Sequence, residues 1–387
     1  MRILLISGSY SKDITGGAEL QTMILAQGLI KYGHEVTYLA TDTNTTSRSR
    51  TNDIEIRTIP GSSMTEAARH RQDLENAIMV SRPDICYIRS LNEFKWAIPY
   101  CKQNNIPVIP VCCARRDVLP FSYWFNPRKF LVDLSSLRQY RRLVNFRSIR
   151  LSDEIVCITN TLRNYLKFWY PYKSIQVIYN GHQVPSEADV HRAYEKRVIW
   201  VNNIKRIKRP ELYIKLASYL PDVEFVMIGW LGQHGRYNGY IRSLIKNGPA
   251  NLKYLGAFPV DQVNQEICSS DILFYTSTRG EGFGNSFIQA WMRGVPTIAL
   301  ESDPDGIIER ERIGHCSHNF SQLVEHTREL IDNPLLLREM GQRAREYAVV
   351  NHDREHMVSR YEALFRELYE RKSASLPHLV RRVDVVK

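Results

Sequence analysis

The chain has 387 residues, of which 43% are hydrophobic and 24% are charged, a balance that is typical of globular proteins. This length exceeds what one ordinary core accommodates and favours two domains. No apolar run approaches the ~20 residues that span a bilayer, so we expect no transmembrane helix. The seven cysteines are scattered without a CxxC pair, which argues against a disulfide framework and favours a cytoplasmic protein.

The formal net charge is +11. Such an excess fits nucleic acid, an anionic membrane surface or anionic small substrates as partners, and it fits a merely solubilising surface equally well. No signature of a nucleic-acid-binding module is present, so we expect no nucleic-acid partner.

Short apolar runs alternate with helical patterns along the chain. In the first half, buried strands are predicted at Arg2–Ser7, Glu35–Ala40, Asp84–Ile88, Pro107–Val111 and Glu154–Ile158. A helix is predicted over Ala18–Lys31. In the second half, strands are predicted at Val198–Val201, Glu224–Ile228, Lys253–Leu255, Ile272–Tyr275 and Thr297–Leu300. The helices predicted between them are Leu212–Tyr219, Val260–Ser269 and Asn285–Arg293.

Strands that alternate with helices imply parallel sheets covered by helices on both faces, and here the pattern occurs twice. The sequence therefore predicts an α/β protein with two Rossmann-like doubly wound domains that face a cleft. The polar stretch Pro185–Lys196 is the predicted linker. The predicted bounds are 1–190 and 191–350 for the domains, 351–372 for an amphipathic helix that returns to the first domain, and 373–387 for a basic tail.

The most informative segment runs from Thr278 to Pro296 and reads TRGEGFGNSFIQAWMRGVP. A glycine-rich turn follows a strand candidate, and a helix begins near Gly284. The free backbone N–H groups at the start of that helix suit a diphosphate, and Glu281 can accept hydrogen bonds from sugar hydroxyls. Gln289 lies about two turns further on, where it can hold another part of one elongated ligand. A plain strand-turn-helix with a solvated glutamate is the alternative.

Five blocks in this order resemble the retaining glycosyltransferases of family 4, which have the GT-B fold. The blocks are Gly16–Glu19, Gly33–Val36, Val177–Gly181, Trp200–Pro210 and the motif Glu281–Pro296. The resemblance covers nearly the whole chain. It implies a UDP- or GDP-linked sugar as donor, a sugar or a lipid-linked sugar as acceptor, transfer with retained anomeric configuration, and neither a cofactor nor a metal.

The resemblance also implies roles for individual residues. Glu281 would contact the hydroxyls of the donor sugar and Lys208 would bind the donor phosphates, and these two are the predicted catalytic residues. The other donor-binding residues that it implies are Gly16, Gly17, Asn203, Arg206, Gly229, Gly282, Phe283, Gly284, Asn285, Ser286 and Gln289.

Two donor-side positions depart from the family pattern. Gln289 stands where the family usually has a second glutamate on the nucleotide ribose, and its amide offers an acceptor without charge. Asn203 stands where the family usually has an arginine, and we expect Arg206 or Arg209 to supply that positive charge.

The histidine that many family members have in the first domain is absent here. The corresponding stretch reads VCCARRD, and Arg115, Arg116 or Asp117 is expected to line the acceptor side instead. We expect His34 to pack within a turn and His182 to be solvated.

The segment from Phe121 to Arg150 combines aromatic and basic residues. Its basic residues are Arg128, Lys129, Arg138, Arg141, Arg142, Arg147 and Arg150, with Asp133 as the only acid between them. This composition suits peripheral binding to an anionic surface at the inner face of the membrane. The alternative is a domain-covering helix with a solvated basic face.

The predicted function is therefore a metal-independent retaining hexosyltransferase that acts in cell-envelope polysaccharide, exopolysaccharide or glycolipid biosynthesis. Other functions remain open, because a fold does not fix an activity. One is a sugar-nucleotide epimerase, which turnover of a nucleotide sugar without an acceptor would indicate. On the same architecture a phosphorylase is possible, which a dependence of turnover on phosphate would indicate. Another is a non-catalytic subunit, which would bind a nucleotide sugar without turning it over.

Overall fold

The computed structural model describes residues 1–10, 16–61, 67–118, 137–190, 194–278 and 281–375. The strands of the first domain are β1 Arg2–Ser7, β2 Glu35–Thr43, β3 Ser47–Thr51, β4 Ile54–Pro60, β5 Ile85–Ile88, β6 Val108–Cys112, β7 Ile155–Cys157 and β8 Ile175–Val177. Its helices are α1 Gly17–Lys31, α2 Ala67–Ser81, α3 Phe94–Gln103, α4 Arg115–Val118, α5 Leu137–Ile149 and α6 Asn160–Trp169.

The second half of the chain continues the alternation. Its strands are β9 Arg197–Val201, β10 Glu224–Ile228, β11 Leu252–Gly256, β12 Ile272–Tyr275, β13 Thr297–Ala299 and β14 Gly314–Cys316. Its helices are α7 Pro210–Tyr219, α8 Arg236–Lys246, α9 Val260–Cys268, α10 Asn285–Met292, α11 Ile307–Arg310, α12 Phe320–Ile331, α13 Pro334–His352 and α14 Arg354–Ser375.

Each domain is built on one sheet of Rossmann-like order. The first sheet has the order β3-β4-β2-β1-β5-β6-β7-β8, and the second has the order β11-β10-β9-β12-β13-β14. Strand pairs are parallel except for the antiparallel pair β3 and β4. The strand order reverses between β1 and β5 and between β9 and β12, which is where such sheets open a ligand crevice. The predicted fold class is thereby confirmed.

The two faces of each sheet pack into different cores, as the alternation of side chains along a strand requires. On β1, Leu4 and Ile6 pack into a core that is confined to the first domain, whereas Ile3 and Leu5 face the opposite way. That second face belongs to a continuous core that also contains Ile199 of the second sheet. The hydrophobic contact between the domains is therefore part of the main core.

Every predicted strand lies on an observed one, but four strands were not predicted. These are β3, β4, β8 and β14. The β3 sequence SRSRT has no apolar run and its side chains are largely exposed, so it is held by its pairing with β4. The other three are short or only partly apolar, so these segments become strands because they pair with neighbouring strands in the sheet.

The last helix packs against the first domain. The side chains of α14 that face inward are Met357, Val358, Tyr361, Leu364, Phe365 and Leu368, and all are buried. Tyr361 meets Tyr87 of β5 edge to face, with ring centroids 5.5 Å apart. The predicted basic tail lies, from residue 376 onward, outside the described residues.

Most of the segment Phe121–Arg150 also lies outside the described residues, which resume at 137. From there the chain forms α5, on which Asn145, Ser148 and Ile149 are buried while Arg147, and Arg150 just after the helix, are exposed. Within the described ranges, no helix combines the length and the apolar character that crossing a bilayer requires. The membrane interpretation of this segment stays a prediction.

A glycine sets how closely α1 approaches α14. A Cβ atom added at Gly28 would lie 2.4 Å from Cγ2 and 2.6 Å from Cγ1 of Val358. We therefore predict that Gly28→Ala lowers the free energy of unfolding by about 1–3 kcal/mol through overpacking, measured by urea denaturation.

The matched control is Gly239→Ala in helix α8, where an added Cβ would meet nothing within 4 Å. Alanine is the better helix former, so this control should raise the free energy of unfolding by roughly 0.5–1 kcal/mol. Equal effects of the two substitutions would contradict the close contact between α1 and α14.

Candidate functional site

A cleft of about 560 Å³ lies between the two domains. Its walls come from the segments that follow β1, β5, β6, β7 and β8 in the first domain and β9, β10, β11 and β12 in the second. The carboxyl ends of both sheets therefore face each other across it, as expected for two doubly wound domains.

The segment between β12 and α10 forms one wall of the cleft. It includes Glu281, Gly282, Phe283 and Gly284, which all line the cleft. Two glycines allow the close packing here, because a Cβ at Gly282 would lie 1.9 Å from the carbonyl oxygen of Cys113, and one at Gly284 would lie 2.8 Å from Oη of Tyr275. Phe283 is buried and anchors the turn in the core.

Helix α10 begins beside this turn, and Gly284 provides no side-chain cap for it. The N–H groups of its first turn have no intrahelical acceptor, and Asn285 and Ser286 from that turn line the cleft. The start of α10 thus presents hydrogen-bond donors and the positive end of the helix dipole to a ligand in the cleft.

Lys208 and Glu281 lie together in the cleft. Nζ of Lys208 is 3.4 Å from Oε1 of Glu281 and donates to Oη of Tyr275 at 3.2 Å. Burial alone would lower the pKa of Lys208, but the Tyr275 phenol and the Glu281 carboxylate outweigh it and hold that pKa above its ordinary value. The second carboxylate oxygen of Glu281, Oε2, is buried without a hydrogen-bond partner, which is the state expected of an acceptor that a ligand satisfies.

The backbone around Lys208 is fixed by its neighbour Arg209. Arg209 adopts a left-handed conformation with φ 47° and donates to the carbonyl oxygens of Thr276 and Ser277 and to the carboxylate of Glu301. Its guanidinium is thus used to join the loop after β9 to the loop after β12. Arg209 does not supply the positive charge that we expected of it in the cleft.

Gly229 closes another part of the donor-side wall. Its φ is 153°, and a Cβ there would lie 1.7 Å from the carbonyl oxygen of Asn202, so only glycine fits between the loops after β9 and β10. Asn203 lines the cleft and accepts a hydrogen bond from the Trp230 backbone N–H at 3.3 Å. The amide therefore orders the loop after β10, a role that an arginine at this position would not fill.

Gln289 lies on α10, is buried and lines the cleft. Its Nε2 donates to Oδ1 of Asn264 on α9 at 2.9 Å. This contact fixes the orientation of the amide and leaves its carbonyl oxygen as the acceptor for a ligand.

The glycine loop of the first domain meets the start of α10 across the cleft. Gly16 and Gly17 both line the cleft. The side chain of Asn285 donates to the carbonyl oxygen of Gly17 at 2.8 Å and accepts from Nδ2 of Asn180 at 2.9 Å. An added Cβ at Gly17 would lie 3.0 Å from Nδ2 of Asn285. This close approach makes the two walls contiguous.

Three predicted site residues whose side chains the structure describes do not line this cleft, namely Arg206, Arg115 and Asp117. Arg206 lies over the ring of Tyr237, 5.2 Å from its centroid. Arg115 is exposed and lies 4.5 Å from the ring centroid of Tyr165.

Asp117 accepts hydrogen bonds from the backbone N–H groups of Cys113 and Ala114, both at 2.8 Å. It therefore shapes the loop after β6 and does not line the cleft. Arg116 belongs to α4, and its side chain is outside what the structure describes, so its role stays a prediction.

The histidine expectations have opposite outcomes. His34 is buried next to Glu362 at 3.3 Å, in agreement with a packing role. The expectation that His182 is solvated is wrong. It is buried, lies 3.1 Å from Nε2 of Gln21, and burial lowers its pKa to about 3.

Sequence reasoning missed several residues that the structure places in the cleft. They are Ser9, Glu19, Arg89, Cys113, Asn180, Lys205 and Trp230. A usable signal existed for Arg89, because it directly follows a buried strand at the carboxyl edge of a parallel sheet. Trp230 and Lys205 gave no such signal, since each sits in a loop whose course the sequence leaves open.

No group of three or more His, Cys, Asp or Glu side chains is arranged to hold a metal ion in the part of the chain that the structure describes. Metal independence stays a prediction.

Two sequence-family models together match almost the whole chain. Glycosyltransferase Family 4 matches residues 15–184 and Glycosyl transferases group 1 matches residues 186–347. An uncharacterized 42.6 kDa protein in the cps region of Klebsiella pneumoniae is 23% identical over 352 residues, which cover 81% of this chain and 88% of that relative.

Solved glycosyltransferase structures share the fold. Sucrose-phosphate synthase from Thermosynechococcus elongatus superposes with a TM-score of 0.80 at 16% identity, covering 95% of this chain and 99% of the other. HepE from Anabaena, in complex with UDP-glucose, superposes with a TM-score of 0.71 at 15% identity, covering 96% of this chain and 99% of HepE. The chain therefore belongs to the glycosyltransferases that these two models describe, those of family 4 and group 1, and it has their two-domain GT-B fold.

Proposed function

We propose that this glycosyltransferase moves a hexose from a UDP- or GDP-linked donor to an acceptor hydroxyl with retention of anomeric configuration. The observation that carries the proposal is the pair of Lys208 and Glu281 beside the start of α10, in a cleft that both domains line. A cation, open backbone donors and an unsatisfied carboxylate oxygen together suit a diphosphate that bears a sugar.

The donor diphosphate would lie between Lys208 and the first turn of α10. Bond cleavage places growing negative charge on the leaving phosphate oxygen, and these positioned donors stabilise that charge. They need no reorganisation, because Tyr275 and Glu281 already hold the ammonium of Lys208 in place. The structure of HepE with UDP-glucose supports a nucleotide sugar in a cleft of this fold.

The donor sugar would lie against Glu281 and the nucleotide ribose against Gln289. The free Oε2 of Glu281 can accept from a sugar hydroxyl, and the amide of Gln289 is oriented by Asn264. During transfer the bond between the anomeric carbon and the diphosphate oxygen breaks while a bond to the acceptor oxygen forms on the same face. The proton of the acceptor hydroxyl passes to the leaving phosphate oxygen. The acceptor would approach from the first-domain wall.

The acceptor would be a sugar or a lipid-linked sugar of the cell envelope. A relative from Staphylococcus aureus named poly(ribitol-phosphate) alpha-N-acetylglucosaminyltransferase is 25% identical over 46% of this chain and 37% of its own length, which supports transfer to a polymer. We further propose that the enzyme works on the cytoplasmic side, with the basic segment Phe121–Arg150 against an anionic membrane surface.

We predict that Glu281→Ala lowers the rate of nucleoside diphosphate release by roughly 10²–10³-fold, as expected when a group that acts on the reacting centre is lost. The measurement is UDP or GDP release from a panel of nucleotide sugars with an envelope glycan fraction as acceptor. The control is Glu339→Ala, whose side chain is 68% exposed on α13. Turnover equal to wild type in a folded Glu281→Ala protein would refute the assignment.

We predict that Lys208→Ala weakens UDP or GDP binding by about 10–100-fold, because a hydrogen bond to a charged group contributes ~1.5–3 kcal/mol. Calorimetric titration of the free nucleotide measures this without an acceptor. Lys215→Ala is the matched control, since that ammonium lies over the Phe320 ring outside the cleft. An unchanged affinity in Lys208→Ala would place the diphosphate elsewhere.

We predict that transfer continues in excess chelator. Lys208 and the start of α10 would stabilise the charge that grows on the leaving diphosphate, which is the role a divalent cation fills in metal-dependent transfer. Initial rates in EDTA, compared with rates in added Mg²⁺ or Mn²⁺, test this. A strict requirement for either ion would contradict the proposed donor site.

A further inference from the structure

Arg89 occupies the first-domain wall of the cleft, opposite the donor site. It directly follows β5, at the point where the strand order of the first sheet reverses. Only 7% of the residue is exposed, yet it lines the cleft. A nearly buried guanidinium at the ligand crevice of a parallel sheet is an unusual use of arginine, which is seldom buried without a paired charge.

The hydrogen bonds of Arg89 do not satisfy it. Nη1 donates to Oη of Tyr87 at 3.3 Å and Nη2 donates to Oδ1 of Asn180 at 2.7 Å, whereas Nε is buried without a partner. A guanidinium offers five N–H donors, and these two acceptors use only part of that capacity. No carboxylate among the described residues forms an ion pair with it.

An arginine stays charged at any physiological pH. Removing that charge from water without a negative partner is costly, so the site is incomplete as it stands. An oxyanion in the cleft would supply both the missing charge and acceptors for the spare donors, because phosphate and carboxylate match the fork of a guanidinium.

The neighbours of Arg89 place this site beside the reaction centre. Asn180, which accepts from Arg89, also donates to Oδ1 of Asn285 at the start of α10. Arg89 is therefore joined through one side chain to the helix end where the donor diphosphate is proposed to bind. It lies on the wall from which an acceptor would approach, whereas Lys208, Gly229 and Gln289 belong to the second domain.

We propose that Arg89 forms an oxyanion subsite for the acceptor, so that this enzyme glycosylates an acceptor that carries a phosphate or carboxylate near the reacting hydroxyl. The inference rests on the proposed function, since it assumes that the donor binds at the opposite, second-domain wall. The same chemistry could come from the donor diphosphate itself, and the experiment separates the two sources.

The test is the binding of inorganic phosphate to the full chain in saturating UDP, or in saturating GDP if that is the nucleotide that binds. The nucleotide fills the Lys208 site, so further phosphate reports a second site. We expect phosphate to bind wild type alongside the nucleotide, measured by calorimetry and by the rise in melting temperature. Arg89→Met should weaken that phosphate binding at least tenfold. Arg89→Lys keeps the charge but loses the forked guanidinium donors, so its phosphate affinity should lie between those of wild type and Arg89→Met.

The matched control is Arg163→Met on α6. Arg163 also has a buried Nε without a partner but does not line the cleft, so its loss should leave phosphate binding unchanged. The titration of wild type needs no variant, which keeps the test valid if Arg89→Met folds poorly.

Three results would overturn the proposal. Equal phosphate affinity in wild type, Arg89→Met and Arg89→Lys would show that Arg89 holds no anion. Competition between phosphate and the nucleotide, with weakened nucleotide binding in Arg89→Met, would assign Arg89 to the donor diphosphate. Absence of any UDP or GDP binding to wild type would instead refute the proposed function, and the acceptor assignment would fall with it.

Discussion

The side chain of Asn285 joins the two domains at the point where the chemistry is proposed to occur. Its Oδ1 accepts from Gln21 at 3.3 Å and from Asn180 at 2.9 Å, while its Nδ2 donates to the carbonyl oxygen of Gly17. One amide thereby satisfies groups from two segments of the first domain, α1 and the loop after β8, and it sits on the first turn of α10 in the second. The position of that helix end, and hence of the cleft, depends on this contact.

The network around Asn285 continues into a buried polar layer between the domains. Gln21 also bonds to the backbone of Gly181 and lies next to His182, and Nδ1 of His352 lies 3.0 Å from the carbonyl oxygen of Asn180. Burial lowers the pKa of His352 to about 4, so this layer is neutral at physiological pH. Neutral hydrogen bonds that hold the domains together leave the charged groups of the cleft free for a ligand.

The charges of the cleft are divided between its walls. Lys208 on the second-domain wall has Glu281 as a partner, whereas Arg89 on the first-domain wall has only neutral acceptors among the described residues. The net charge of +11 gave no indication of this division. What matters for the function is the position of two cations at the facing edges of two sheets.

The sequence by itself determined the fold class, because alternating strands and helices fix parallel sheets. Its glycine-rich turn before a helix pointed to Glu281, because such a turn is a local feature, whereas Lys208 was implied by the resemblance to family 4. Tertiary structure alone decided which of the other charged residues face the cleft. Three charged residues lie close in sequence to residues of the cleft but make their contacts elsewhere. Arg206 and Arg115 lie over tyrosine rings, and Asp117 accepts hydrogen bonds from backbone N–H groups. The end of a buried strand marks Arg89 as a candidate, but its place opposite the donor-side wall depends on the long-range pairing of β5 with β1.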